Sequence, residues 1–296
     1  MFKRMKGFAL SERVNAFGFT FPALLMLAVV MLYPLFYGIY ISFFDTNLLT
    51  KFDFVGLANY FSIFKDKSFW NSIGVTLVFS VGTVSLQLVL GISIASFLNT
   101  KIHGRGAFRA VLLIPWMLSM VVGGLLWRWI CNPMYGLLNN LLMSAGVIKE
   151  GIAWLGIPNL AMVSVIIAYA WKNFAFCMLM VLAGLQSISK ELCEAVECDG
   201  GGRWTVFRHV ILPHLSNIIL ITSLLDFFRS FKEFPMIFVM TGGGPGTATN
   251  VISNSVRQVA FDQIQFGYSS AMACVMLLLL LVMSIVLNRM TRADWR

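Results

Sequence analysis

The chain has 296 residues, 58% of them hydrophobic and only 12% charged, where an ordinary soluble domain is about 25% charged. With a mean hydropathy of +0.81, this excludes a single water-soluble core, and it excludes disorder, which requires low hydrophobicity and high charge. The net charge of +9 leaves two readings: a nucleic-acid ligand, or the Lys/Arg excess of cytoplasmic membrane-protein loops.

A bilayer core about 30 Å thick takes roughly 20 mostly apolar residues per helix. Six stretches qualify: residues 17–44, 70–98, 108–130, 160–185, 211–240 and 268–287. They predict an all-α polytopic membrane protein, a single transmembrane domain over residues 1–296. Lys3, Arg4, Lys6 and Arg13 precede the first stretch as a signal-peptide n-region would. The apolar run that follows is too long for a signal peptide and carries no small-residue cleavage site, which predicts an uncleaved first helix. Pro22 and Pro34 predict that it is tilted or kinked.

Basic residues recur in alternate loops. The N-terminal cluster, then Lys101, Arg105 and Arg109, then Lys190, Arg203 and Arg208, then Arg289, Arg292 and Arg296 make up most of the 22 Lys and Arg. This asymmetry puts both termini in the cytoplasm and the segments 45–69, 131–159 and 241–267 outside. The charge is thereby explained without nucleic acid, and no aromatic-studded basic segment of the kind that binds single strands is present.

Within the second stretch, Gly91 and Ala95 stand at the small-x-x-x-small spacing that lets helices approach closely. The fourth stretch carries Tyr169, Trp171, Lys172 and Asn173. An aromatic beside an amide suits a sugar ring, stacked on one face and hydrogen-bonded at its rim; Trp171 serves packing equally well. The fifth carries Asp226, Arg229, Lys232 and Glu233. Intramembrane charges are costly and turn toward protein or water. Helical spacing allows Asp226–Arg229 and Arg229–Glu233 pairs, so two readings stand: a self-neutralising ladder, or a polar stripe along a substrate pathway. The candidate pathway set is Tyr169, Trp171, Asn173, Asp226, Arg229 and Glu233.

Catalytic signatures are missing. There is no Gly-x-x-x-x-Gly-Lys-Ser/Thr loop to cradle phosphate, no nucleophile elbow and no His-Glu-x-x-His. Gly242-Gly243-Gly244-Pro245-Gly246 lacks the lysine and reads as a tight turn. Cys131, Cys177, Cys193, Cys198 and Cys274 are spread over spans and loops and support neither a disulfide framework nor a zinc site. The expectation is a chain that is no enzyme and holds no metal or cofactor of its own.

The segment 187–215 is not an ordinary loop. Ser189 can cap a short helix bearing Lys190, Glu191, Glu194 and Glu197, with its acids suited to the helix dipole. Gly200–Gly202 end that helix, and Trp204, Phe207, Val210 and Ile211 continue at helical spacing. The result is either an interfacial helix pair or a small acid-rimmed knob around Ala195 and Val196 that docks into a cleft of another protein.

The order Glu194-Ala195-Val196, Asp199-Gly200 and then Ile211-x-Pro213 resembles the "EAA loop" of ABC-transporter permease subunits, with Val196 and Gly201 standing where that pattern has alanines. Phe54-Val55-Gly56-Leu57-Ala58-Asn59-Tyr60, Phe108 to Trp116 and Thr241-Gly242-Gly243-Gly244-Pro245 resemble further segments of the binding-protein-dependent carbohydrate importers of the MalF/UgpA-like type, in their six-helix form. The resemblance implies a type I importer permease in a bacterial cytoplasmic membrane, half of a pore. It implies a second homologous permease, an ABC ATPase dimer that binds ATP and Mg, and an extracytoplasmic solute-binding protein. It also implies that Glu194, Ala195, Val196, Asp199 and Gly200 couple the chain to the ATPase, for a sugar, oligosaccharide or polyol. The alternative is a secondary transporter or channel, which needs no docking loop and often shows inverted repeats; no convincing internal repeat is present.

Overall fold

The computed structural model describes residues 17–100 and 103–293. Lys3, Arg4, Lys6, Arg13, Lys101 and Arg296 lie outside the described residues. The chain forms two compact units, one of residues up to Lys65 with Val256–Leu278, the other of Asp66–Ser255 with the residues from Leu279 on.

In the first unit, helix α1 (Phe17–Ile41) is long enough to span a bilayer. It relaxes into a π-helical turn at Ala28–Leu32 just before Pro34. Proline has no N–H to give, and the wider turn absorbs the mismatch. A hairpin of β1 (Phe44–Thr46) and β2 (Phe52–Phe54) follows, antiparallel with Asp45 opposite Asp53. Its turn is wired by Asn47, whose Oδ1 accepts the N–H groups of Leu49, Thr50 and Lys51 at 2.9–3.0 Å. Lys51 pairs with Asp45, and this hydrogen bond raises its ammonium above the ordinary lysine value. Asn59, opening α2 (Ala58–Lys65), donates to the carbonyls of Ser42 and Phe44 at 2.9 and 3.0 Å. The Phe-x-Gly-Leu-x-Asn-Tyr segment thus holds the hairpin to the end of α1.

The second unit is built on α3 (Lys67–Asn99) and α7 (Pro158–Ser187). Asp66 caps α3, accepting the Ser68 N–H at 2.8 Å. The buried residues of α3 fall at Phe69, Ser72, Thr76, Phe79, Thr83, Gln87, Gly91, Ala95 and Leu98, the 3–4 spacing of one helical face. A Cβ on Gly91 would stand 2.6 Å from the Cys177 sulfur, so the small-residue stripe brings α3 against α7 as its spacing predicts. About 61% of the span window of α7 is buried, against 33% for α3, which makes α7 the central helix of this unit.

The third apolar stretch is two helices, α4 (Arg105–Met117) and α5 (Met120–Ile130), bent by 97°. Leu118 and Ser119 are extended, and the Ser119 hydroxyl accepts the Val122 N–H at 3.2 Å. A capping serine behind Pro115 starts a new helix instead of continuing the old one. Helix α6 (Leu137–Ser144) lies in the loop that follows. Buried Asn139 organises that loop: its amide donates to the carbonyls of Asn132, Pro133 and Ile152, and its oxygen accepts from Ile152 N–H and Trp154 Nε1–H.

Helix α8 (Lys190–Cys198) precedes α9 (Trp204–Phe231), which contains a π-helical turn at Phe207–Ile211 before Pro213. The fifth apolar stretch then breaks: α9 ends at Phe231 and α10 (Pro235–Met240) restarts. Helix α11 (Ile252–Arg257) and helix α12 (Phe266–Ala293) complete the chain. The protein is a mostly helical membrane protein whose described residues include five single-helix span candidates, and a sixth if the bent pair α4–α5 counts as one.

Candidate functional site

The pathway candidates come from α7 and the α9–α10 break. Tyr169 is 2% exposed and packs edge-to-face on Phe79, ring centroids 5.3 Å apart. Its ring is a support and is not open to a ligand. Trp171, half-buried, meets Trp127 edge-to-face at 5.8 Å. Half-buried Asn173 donates one amide N–H to the Tyr169 carbonyl at 3.0 Å, leaving the carbonyl end of its side chain for other partners.

On α9, Asp226 is buried and lies 3.6 Å from the Arg229 guanidinium, which sits 4.2 Å above the Phe176 ring of α7. The Asp226–Arg229 pairing expected from spacing is present; the Arg229–Glu233 pairing is not found among the ion pairs of the described residues. The reason is the end of the helix at Phe231, with Lys232 already out of helical geometry. Glu233 therefore leaves the i, i+4 relation, and its Oε1 accepts the Met236 N–H of α10 at 2.9 Å, as a helix-start acceptor does. Lys172, 4% exposed, is buried as well. The charges are thus neither a continuous ladder nor a uniform stripe.

Sequence reasoning missed a second polar feature. Ser72, Thr76, Ser80, Thr83 and Gln87 are all buried along α3. Ser72 bonds Ser255 at 2.6 Å, and Thr76 accepts the Ile252 N–H at 2.8 Å. The signal was present as polar residues recurring every three or four positions. The turn after α10 is similarly knitted: the Thr241 and Thr249 hydroxyls lie 2.7 Å apart, Thr249 donates to the Gly244 carbonyl, and Asn254 donates to that of Gly242. Gly242 and Gly243 take left-handed φ of 63° and 97°. The glycine-rich run is a built turn.

At the other candidate site, α8 ends in a defined way. Gly200 has φ +82°, and the Gly201 N–H reaches the Val196 carbonyl at 2.9 Å, the six-to-one bond of a Schellman cap. A Cβ on Gly201 would meet that same carbonyl oxygen at 2.7 Å. Gly200 and Gly201 therefore form a defined turn. Glu194, Ala195, Asp199 and Gly200 are exposed around a half-buried Val196. Beyond the turn, Trp204 is 71% exposed and stacks on Phe207 at 5.5 Å. A hydrogen bond of 3.2 Å between the Ser187 hydroxyl and His214 Nε2 ties the end of α7 to α9 just past Pro213, so the knob stands on a closed base.

Residues 87–293, a stretch that includes this knob, match the family of binding-protein-dependent transport system inner membrane components. The chain is 33% identical over 285 residues to the sulfoquinovosyl glycerol transport system permease protein SmoG of Agrobacterium fabrum, covering 96% of this chain and 92% of the relative. It is 35% identical over 275 residues to the trehalose/maltose transport system permease protein MalF of Thermococcus litoralis, covering 92% and 91%. In fold it is similar to a chain of a bacterial alginate ABC transporter solved with an alginate-bound periplasmic protein, with a TM-score of 0.83 at 20% identity over 97% and 96% of the two chains. The chain belongs to the binding-protein-dependent transport system inner membrane component family, the multi-pass inner-membrane permease subunits of ABC importers, whose ATPase is a separate subunit.

Proposed function

We propose that this permease forms half of the translocation pore of a carbohydrate importer. The whole chain acts as one permease domain, with both termini cytoplasmic, beside a second homologous permease, two ABC ATPase subunits and an extracytoplasmic solute-binding protein. The observation that supports the substrate class best is the agreement of two relatives, matched over nearly their whole length, whose names both specify sugars or sugar derivatives.

Mechanistically, α8 and its capped turn act as the docking element for the ATPase. Glu194 and Asp199 present charge, Ala195 and Val196 a small apolar surface, and Gly200 sets the angle of the turn. Closure of the ATPase pair on ATP moves this knob. Packed helices switch between discrete arrangements and do not deform continuously, so the movement passes through the Ser187–His214 closure into α7 and α9. Those helices carry the proposed pathway residues Trp171, Asn173 and Arg229, less buried than Tyr169 and Asp226, with Glu233 buried just beyond the end of α9. ATP and Mg are bound by the ATPase subunits.

The test is reconstitution of the complete importer in proteoliposomes with a radiolabelled disaccharide panel. ATP-dependent uptake of at least one sugar is expected, with KM raised in Asn173→Ala at unchanged basal ATPase activity. Uptake restricted to amino acids or inorganic ions would overturn the carbohydrate assignment.

A further inference from the structure

The charges around the α9–α10 break are sorted by sign. Both acids are turned inward: Asp226 is 3% exposed and Glu233 6%, and Lys172 is buried with them. The outward-facing charges are cations. Half of the Arg229 side chain is exposed, at 49%, and Lys232, three residues on, is exposed as well. Arg128, from α5, which packs against α10, is also exposed and donates to the Val239 carbonyl at 3.4 Å. No acid on α5, α7, α9 or α10 is exposed among the described residues.

Arg229 is held but not used up. Phe176 supports its guanidinium from one side at 4.2 Å, and Asp226 approaches only to 3.6 Å, longer than a hydrogen bond. Its planar fork of N–H donors stays available, and that fork matches the oxygens of a carboxylate, sulfonate or phosphate. A neutral sugar offers no charge for that fork to match, and its hydroxyls, which both donate and accept, would also call on carboxylate acceptors. Here the carboxylates face away.

We propose that the substrate admitted at this site carries a negative charge on a hydroxylated skeleton, and that Arg229, with Lys232, determines that specificity. This rests on the pathway reading above. The test uses the purified permease–ATPase assembly without its solute-binding protein, so that the permease's own preference is measured. Binding of maltose, digalacturonate, glycerol 3-phosphate and glucose 6-sulfonate is followed by tryptophan fluorescence and calorimetry. At least one anionic probe is expected to bind about tenfold or more tighter than maltose, the increment of one charge-assisted hydrogen bond, and which one does so identifies the anion. The preference should shrink as salt rises. It should collapse in the Arg229→Gln/Lys232→Gln double variant and survive in part in Arg229→Lys.

Equal binding of maltose and all three anions, with maltose binding still weakened by Asn173→Ala, overturns the charge proposal and leaves the pathway reading standing. Absence of binding by every probe, with uptake indifferent to Trp171→Ala and Asn173→Ala, overturns both. Loss of the second permease from the double variant on co-purification shows that the cations serve assembly, and also overturns the proposal.

Discussion

Gly91 and Gly74 lie in the same helix and face opposite demands. Nothing stands within 4 Å of a Cβ added at Gly74, whereas one at Gly91 meets the Cys177 sulfur at 2.6 Å and the Met178 nitrogen at 3.1 Å. Replacing a helical glycine by alanine gains up to about 1 kcal/mol of propensity, while overpacking a close contact costs about 1–3 kcal/mol. Gly74→Ala is therefore expected to leave the thermal midpoint of the detergent-solubilised protein unchanged or raised, and Gly91→Ala to lower it by several degrees. Equal effects at the two positions would show that α3 and α7 are not in contact at Gly91. Asn139 makes a second residue-scale case. Asn139→Ala orphans the Trp154 indole N–H, bonded at 2.8 Å, and the Ile152 N–H, while the Ile152 carbonyl keeps the Trp154 backbone N–H. An unsatisfied buried group costs about 1–3 kcal/mol, so limited proteolysis should cut within residues 131–157 faster in Asn139→Ala than in Asn139→Asp, which keeps the acceptor. The close approach at Gly91 was legible in the sequence, because small residues at a fixed spacing carry one meaning in a membrane helix. The role of Asn139 was not, because its partners lie up to 15 positions away and only the folded loop brings them together.

At the scale of elements, the α8 knob and the broken spans differ in how openly the sequence declares them. The knob is written in local chemistry: acids early in a short helix, glycines at its end, an apolar helical face beyond. Each is a short-range rule, and the Schellman cap at Gly200 follows from them. The 97° bend at Leu118–Ser119 interrupts a stretch that stays apolar, and the break after Phe231 falls where Arg229, Lys232 and Glu233 stand inside an otherwise apolar stretch. A hydropathy window measures greasiness and is blind to backbone direction, so residues 108–130 and 211–240 each read as one helix. The Arg229–Glu233 pair failed for that reason alone: its spacing was right for a helix that had already ended. The knob yields a sharp expectation. Proline cannot adopt the φ of +82° at Gly200, so Gly200→Pro should abolish ATP-driven uptake while the protein still inserts in the membrane and the purified ATPase subunits retain hydrolysis. Glu194→Lys reverses an exposed charge of the proposed docking surface and should weaken co-purification of the ATPase. Normal uptake in vesicles by both variants would remove α8 from the coupling path.

Over the whole molecule, the orientation of the chain rests on charge asymmetry alone, and the structure supplies reporters to test it. Cys198, at the end of α8, is a free and exposed thiol, while Cys131 and Cys177 are buried. Burial raises the Cys131 thiol above its ordinary value, which suppresses the reactive thiolate further. On the opposite side by the charge rule, Leu49 at the hairpin turn and Val147 after α6 are 81% and 68% exposed. With both termini cytoplasmic, a membrane-impermeant maleimide applied to intact cells should label Leu49→Cys and Val147→Cys introduced into a Cys198→Ser background. It should leave native Cys198 untouched until the membrane is opened. Two loops far apart in sequence are then read independently against a native site on the third. Labelling of Cys198 in intact cells, with Leu49→Cys protected, would invert the topology. It would also put α8 out of reach of any cytoplasmic ATPase, so the same reagent that fixes the orientation decides whether the knob can couple at all.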